Sequence, residues 1–157
     1  MGSNFATRKK NYFLMFLAYL FSVVTAVIGI LLWFTIRETL MITLTHVSFN
    51  FWSLPAIDNF SFLLLGIGWL VLVYASNFYY RKGYREGAIW PAFFLISGSQ
   101  ALLFFICKLI MISIGYSAGV SNILIAMIEC LAGAGLIIMA KKMTRNKLIN
   151  KNNNLTS

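Results

Sequence analysis

Carboxylates are almost missing from this chain: four Asp and Glu stand against thirteen Lys and Arg in 157 residues, with one His, two Cys and two Pro. Four carboxylates scattered as Glu38, Asp58, Glu86 and Glu129 leave no pair within one span for acid–base chemistry. His46 has no His, Cys or carboxylate at ligand spacing, so no metal centre is expected. No Cys-x-x-Cys is present, and Cys107 and Cys130 fall in separate apolar runs. Those runs meet across a turn, but two right-handed helices that face each other at Lys108 and Glu129 rotate the neighbouring cysteines apart, so no disulfide is expected. Gly-x-Ser-x-Gly, His-Glu-x-x-His and phosphate-loop patterns are absent as well. The expectation is a non-enzymatic protein without cofactor or metal.

What the chain does contain is apolar: 60% hydrophobic and 16% aromatic residues, 11% charged, and a mean hydropathy of +0.81. Such a composition cannot make a water-facing surface, and the length allows about four spans of ~20 residues. The predicted fold is all-α, a polytopic membrane protein with a four-transmembrane-helix bundle and both termini cytoplasmic. Its spans fall at about 11–36, 60–80, 88–114 and 120–140, as one domain over 1–140. A basic tail, 141–157, rich in Asn and Lys, is predicted to be disordered. Tyr12, Trp33, Trp52, Tyr79, Trp90 and Tyr116 mark the span boundaries as amphipathic rings do at headgroup depth. Pro91 suits the first turn of the third helix. The first apolar run is longer than a signal-peptide core of roughly 7–15 residues and is read as a retained helix. Ala6 stands where an acylation signal needs Ser or Thr.

Eleven of the thirteen basic residues lie on one side of this topology: Arg8, Lys9 and Lys10, then Arg81, Lys82 and Arg85, then Lys141, Lys142, Arg145, Lys147 and Lys151. The positive-inside rule makes that side cytoplasmic. The net charge of +9 then needs no nucleic acid: an anionic inner leaflet is the expected partner, at roughly 1 kcal/mol per basic residue near the surface. The Lys- and Asn-rich tail with high Ile, Leu and Phe content points to a bacterial cell membrane, the protein being multi-pass.

Lys108 and Glu129 each interrupt an otherwise apolar span, where an unpaired charge is costly. They lie equally far, about ten residues, from the midpoint of the turn Gly115–Gly119, at one depth of an antiparallel hairpin, and are the candidate intramembrane ion pair. Small and polar residues mark the packing faces: Ala18, Ser22, Thr25 and Gly29 in the first span, Ser97 and Gln100 in the third, and Asn122, Ala126 and Gly133 in the fourth. The connection 37–59 alternates apolar and polar residues from Ile42 onward, which predicts an extended outer segment turned back at Pro55, with Asp58 and Asn59 capping the second span. His46, Phe49, Phe51 and Trp52 are its candidate docking residues. Packing surfaces without chemistry point to an accessory or regulatory subunit of another membrane protein, such as a sensor kinase, transporter or secretion component. A small oligomeric transporter, channel or lipid flippase using Glu129 and Lys108 is the alternative, and a toxin or bacteriocin immunity protein a third. Fusing a fluorescent protein or alkaline phosphatase to the C-terminus tests the orientation; strong fluorescence without phosphatase activity is expected, and the reverse pattern inverts the topology.

Overall fold

Long apolar runs can cross a membrane only with their backbone hydrogen bonds closed internally, and here each becomes a helix. In the computed structural model, which describes residues 3–47, 51–86, 88–116 and 119–153, these are α1 (Ser3–His46), α2 (Leu54–Glu86), α3 (Ile89–Ser113) and α4 (Val120–Asn153). A single 3₁₀ turn, Phe51–Ser53, precedes α2. All four helices are long and apolar enough to cross a membrane, and no strand occurs among the described residues.

Three expectations about the ends need correction. The extended outer segment is helical as far as His46, because its threonines satisfy themselves within the helix. Thr35, Thr39 and Thr43 each donate to the carbonyl four residues earlier, at 3.0, 2.7 and 2.7 Å, and Thr45 donates to Met41 and Ile42. Pro55 stands in the first turn of α2, where its missing N–H is no loss, so it opens that helix. Asp58 and Asn59 accordingly lie inside α2 and cap nothing. The basic tail expected to be disordered continues α4 to Asn153, since no Pro or Gly follows Gly135 to stop the helix.

Successive helices are antiparallel: Arg37 meets Asp58, Tyr19 meets Arg81, and Lys108 meets Glu129. The α2–α3 joint and the free ends of α1 and α4 therefore share one end, the basic end, and the α1–α2 and α3–α4 connections share the other, the loop end. Helices α1, α2 and α3 pack on one another, whereas α4 packs on α3 and flanks the group from one side. At the basic end Ala18, Phe21, Tyr80 and Ile89 form a buried cluster with Ala92, Phe93 and Ile96 packed against it. Phe21 stacks on Phe93 with centroids 4.2 Å apart and meets Trp90 edge-on at 5.3 Å.

The α3–α4 crossing depends on two glycines. A Cβ at Gly98 would stand 2.9 Å from Ile137 Cγ1 and 3.0 Å from the Gly133 carbonyl; a Cβ at Gly133 would stand 3.0 Å from Leu102 Cγ and 3.2 Å from the Gly98 carbonyl. The two backbones thus approach as only paired glycines allow. Gly135, two residues on and facing the other way, has nothing within 4 Å of its Cβ position. Gly98→Ala and Gly133→Ala are each expected to destabilise the helix pair by about 1–3 kcal/mol through overpacking, while Gly135→Ala is neutral or gains up to ~1 kcal/mol of helix propensity. Thermal or denaturant unfolding of the detergent-solubilised variants measures the contrast, and equal effects at all three positions would refute it.

Candidate functional site

Lys108 and Glu129 are in contact: Lys108 Nζ donates to Glu129 Oε1 at 2.7 Å, with about a quarter of each side chain exposed, 27% and 25%. Glu129 Oε2 is buried and accepts no hydrogen bond. Level backbones do not produce this contact. Ten residues separate Lys108 from Gly98, about 15 Å of rise, but only four separate Glu129 from Gly133, about 6 Å. The two Cα atoms are therefore offset along the bundle by on the order of 9 Å.

Side-chain direction closes that offset. On any α-helix the Cα–Cβ bond tilts toward the N-terminus. The N-terminus of α3 is at the basic end and that of α4 at the loop end, so Lys108 leans down and Glu129 leans up, each toward the other. Lys108 also lies nineteen residues beyond the start of α3 and five short of its end. That is about 29 Å from the basic end, close to the ~30 Å of a hydrocarbon core. The lysine thus lies toward the loop end of α3.

A second polar group lies deeper and ties three helices. Thr25 of α1, fully buried, shares a 2.6 Å hydrogen bond between its hydroxyl and that of Tyr80 on α2. Gln100 of α3, 1% exposed, donates Nε2 to the Thr25 carbonyl at 3.1 Å. Trp69 Nε1 donates to the neighbouring Ala26 carbonyl at 3.1 Å. Gly29 makes room for both donors: a Cβ there would stand 3.1 Å from Trp69 Cδ1 and 3.4 Å from Gln100 Nε2. The stripe Ala18, Ser22, Thr25 and Gly29 is buried along its whole length. On the other hairpin Ala126 and Gly133 are buried and Ser97 and Asn122 half-buried.

Sequence reasoning missed two of these partnerships. Tyr80 closes the aromatic group Phe78-Tyr79-Tyr80, which reads as a boundary belt, yet it is 1% exposed. Asp58, expected as a cap, instead forms a bidentate pair with Arg37, which donates Nε to Oδ1 at 2.7 Å and Nη2 to Oδ2 at 2.6 Å. The signal was their spacing of 21 residues across a hairpin, the same as that of Lys108 and Glu129. His46 ends α1 and is exposed, Trp52 is 89% exposed in the 3₁₀ turn that also contains Phe51, and Phe49 lies outside the described residues.

Chemically these arrangements hold helices together. No cluster of three metal-ligating side chains occurs among the described residues, and Cys107 and Cys130 are both free thiols. Glu129→Gln leaves Lys108 without its countercharge and is expected to cost on the order of 3 kcal/mol and lower the yield of folded protein. The exchange Lys108→Glu with Glu129→Lys restores at least part of it, because the lean of both side chains is preserved. Detergent-solubilised yield and melting temperature measure both, and equal values for wild type, single variant and exchange would remove the pair's structural role. No protein-family model matches the chain, and no curated protein or solved structure matches it either.

Proposed function

We propose that the chain is a non-enzymatic accessory subunit of a larger membrane assembly, with α4 as the helix that meets the partner. The observation that carries this reading is the one-sided attachment of α4. It packs on α3 and turns Leu124, Ile128, Leu131 and Ile138 away from the bundle, each at least half exposed. Between these residues Ala132 is exposed, and the Cβ position of Gly135 is in open space. A second helix could approach α4 closely along that line, since small residues permit backbone contact where lipid offers no hydrophobic gain.

The closed state of the ion pair weighs against a transport path. Lys108 and Glu129 pair through one carboxylate oxygen, and neither lines any of five cavities found among the described residues. A carboxylate that carries a proton or an ion across a membrane has to be reached by water. The accessory reading needs no such access.

The test is purification from the native membrane in a mild detergent with mass determination of the complex, for wild type and for Ala132→Leu/Gly135→Leu. Wild type is expected to carry a second integral membrane protein in fixed stoichiometry. The double variant is expected to keep the melting temperature of the isolated chain and to lose that component. A wild-type preparation that is monomeric or purely homo-oligomeric would overturn the proposal, as would full retention of the partner by the variant.

A further inference from the structure

At the basic end a groove of about 570 Å³ opens between α2 and the α3–α4 pair. Its walls come from three helices: Tyr79 and Lys82 on α2, Ala92 and Leu95 on α3, and Lys141 and Arg145 on α4. The volume is within the roughly 300–1,000 Å³ of ligand sites. Tyr79, Ala92 and Leu95 also line a second cavity of about 300 Å³, which runs on between α2 and α3 to Leu103. The two spaces adjoin along these residues as a groove with a cationic mouth and a mostly apolar shaft that also meets Ser76, Ser99 and Gln100.

Charge and length both identify the occupant. Among the described residues no carboxylate lines the groove, and Lys82, Lys141 and Arg145 form no ion pair. Three cations from two helices that do not pack on each other thus converge over one opening, where the remaining demand is for an anion. From Ala92 to Leu103 the shaft follows eleven residues of α3, about 16 Å of rise. One leaflet of hydrocarbon is about 15 Å deep, half of a ~30 Å core. A soluble phosphate would fill the mouth and leave the shaft empty, and a neutral lipid would leave the cations unpaired.

We propose that this groove binds one anionic diacyl phospholipid from the surrounding leaflet, its phosphate held by Lys82, Lys141 and Arg145 and one acyl chain laid between α2 and α3 as far as Leu103. The bound lipid fills the gap that α3 keeps open between α2 and α4. It acts as a fourth wall for the shaft, so the tertiary structure at the basic end includes a lipid. General attraction of a basic surface to an anionic leaflet is different in kind, because it depends on total charge and not on which helices supply it.

The experiment is native mass spectrometry of the full chain in detergent, titrated separately with phosphatidylglycerol and phosphatidylcholine. Wild type is expected to retain one phosphatidylglycerol and to prefer it strongly. Lys82→Gln/Lys141→Gln/Arg145→Gln is expected to weaken phosphatidylglycerol by about 100-fold, roughly fivefold for each cation, and to leave phosphatidylcholine unchanged. Arg8→Gln/Lys9→Gln/Lys10→Gln removes the same charge from α1, which supplies no wall of the groove among the described residues, and should stay within about threefold of wild type. Leu95→Trp plugs the shaft with all cations in place and should also lose the lipid; it decides the matter if the triple groove variant fails to fold. Equal losses in the two triple variants, or retention by both groove variants, would overturn the proposal. So would stoichiometric displacement by a polyprenyl phosphate at lower concentration, which would assign the groove to a single-chain lipid.

Discussion

Without water, a buried hydroxyl or amide has to find its partner inside the protein, and Thr25 is where that constraint falls on this bundle. Its hydroxyl pairs with Tyr80 and its carbonyl receives Gln100, so one residue of α1 fixes the relative positions of α2 and α3. Trp69 repeats the device one residue later, at Ala26. The small residues on either side let the helices come near enough for these bonds to form. Removing Gly29 from that stripe would push away two of the donors it admits. Packing and hydrogen bonding are therefore one constraint in this region, not two contributions that could be varied separately.

The fourth helix obeys different rules. The Thr25 centre is built from α1, α2 and α3, and α4 is held to α3 by the Gly98–Gly133 approach and by one ion pair. The glycines set distance and register. The ion pair sets direction, because Lys108 and Glu129 can meet across their offset only if α3 and α4 run antiparallel, each side chain leaning toward its own helix N-terminus. A parallel partner helix at the same height would turn the carboxylate away.

Much of this was legible in the sequence because its apolar runs are long and its charges few. Four helices follow from runs that no soluble fold would need, and contact between Lys108 and Glu129 follows from the cost of leaving either alone. The stripe Ala18, Ser22, Thr25 and Gly29 declared the buried face of α1. The course of α1 beyond Arg37 was hidden, since threonines alternating with Ile and Leu imitate the period of a strand while bonding to helix carbonyls. Thr35, Thr39 and Thr43 recur every fourth residue, and that period was the better guide. The outboard place of α4 could not be read from hydropathy, which is 1.9 to 2.5 for all four spans and does not distinguish a helix with three neighbours from one with a single neighbour. The Arg37–Asp58 clasp was missed because both residues were assigned to a loop that is largely helix.

Attachment of α4 through α3 alone also bears on how the chain is built. Helices α1 to α3 contain every hydrogen bond of the Thr25 centre, so they can close on themselves as soon as the third has entered the membrane, before the fourth has left the ribosome. The last helix then has a surface on α3 to dock against, with main contacts that lie apart from the Thr25 centre. Pulled from its C-terminus, the molecule would give up that helix first and remain a three-helix body, with biogenesis and mechanical failure running along the same order in opposite directions.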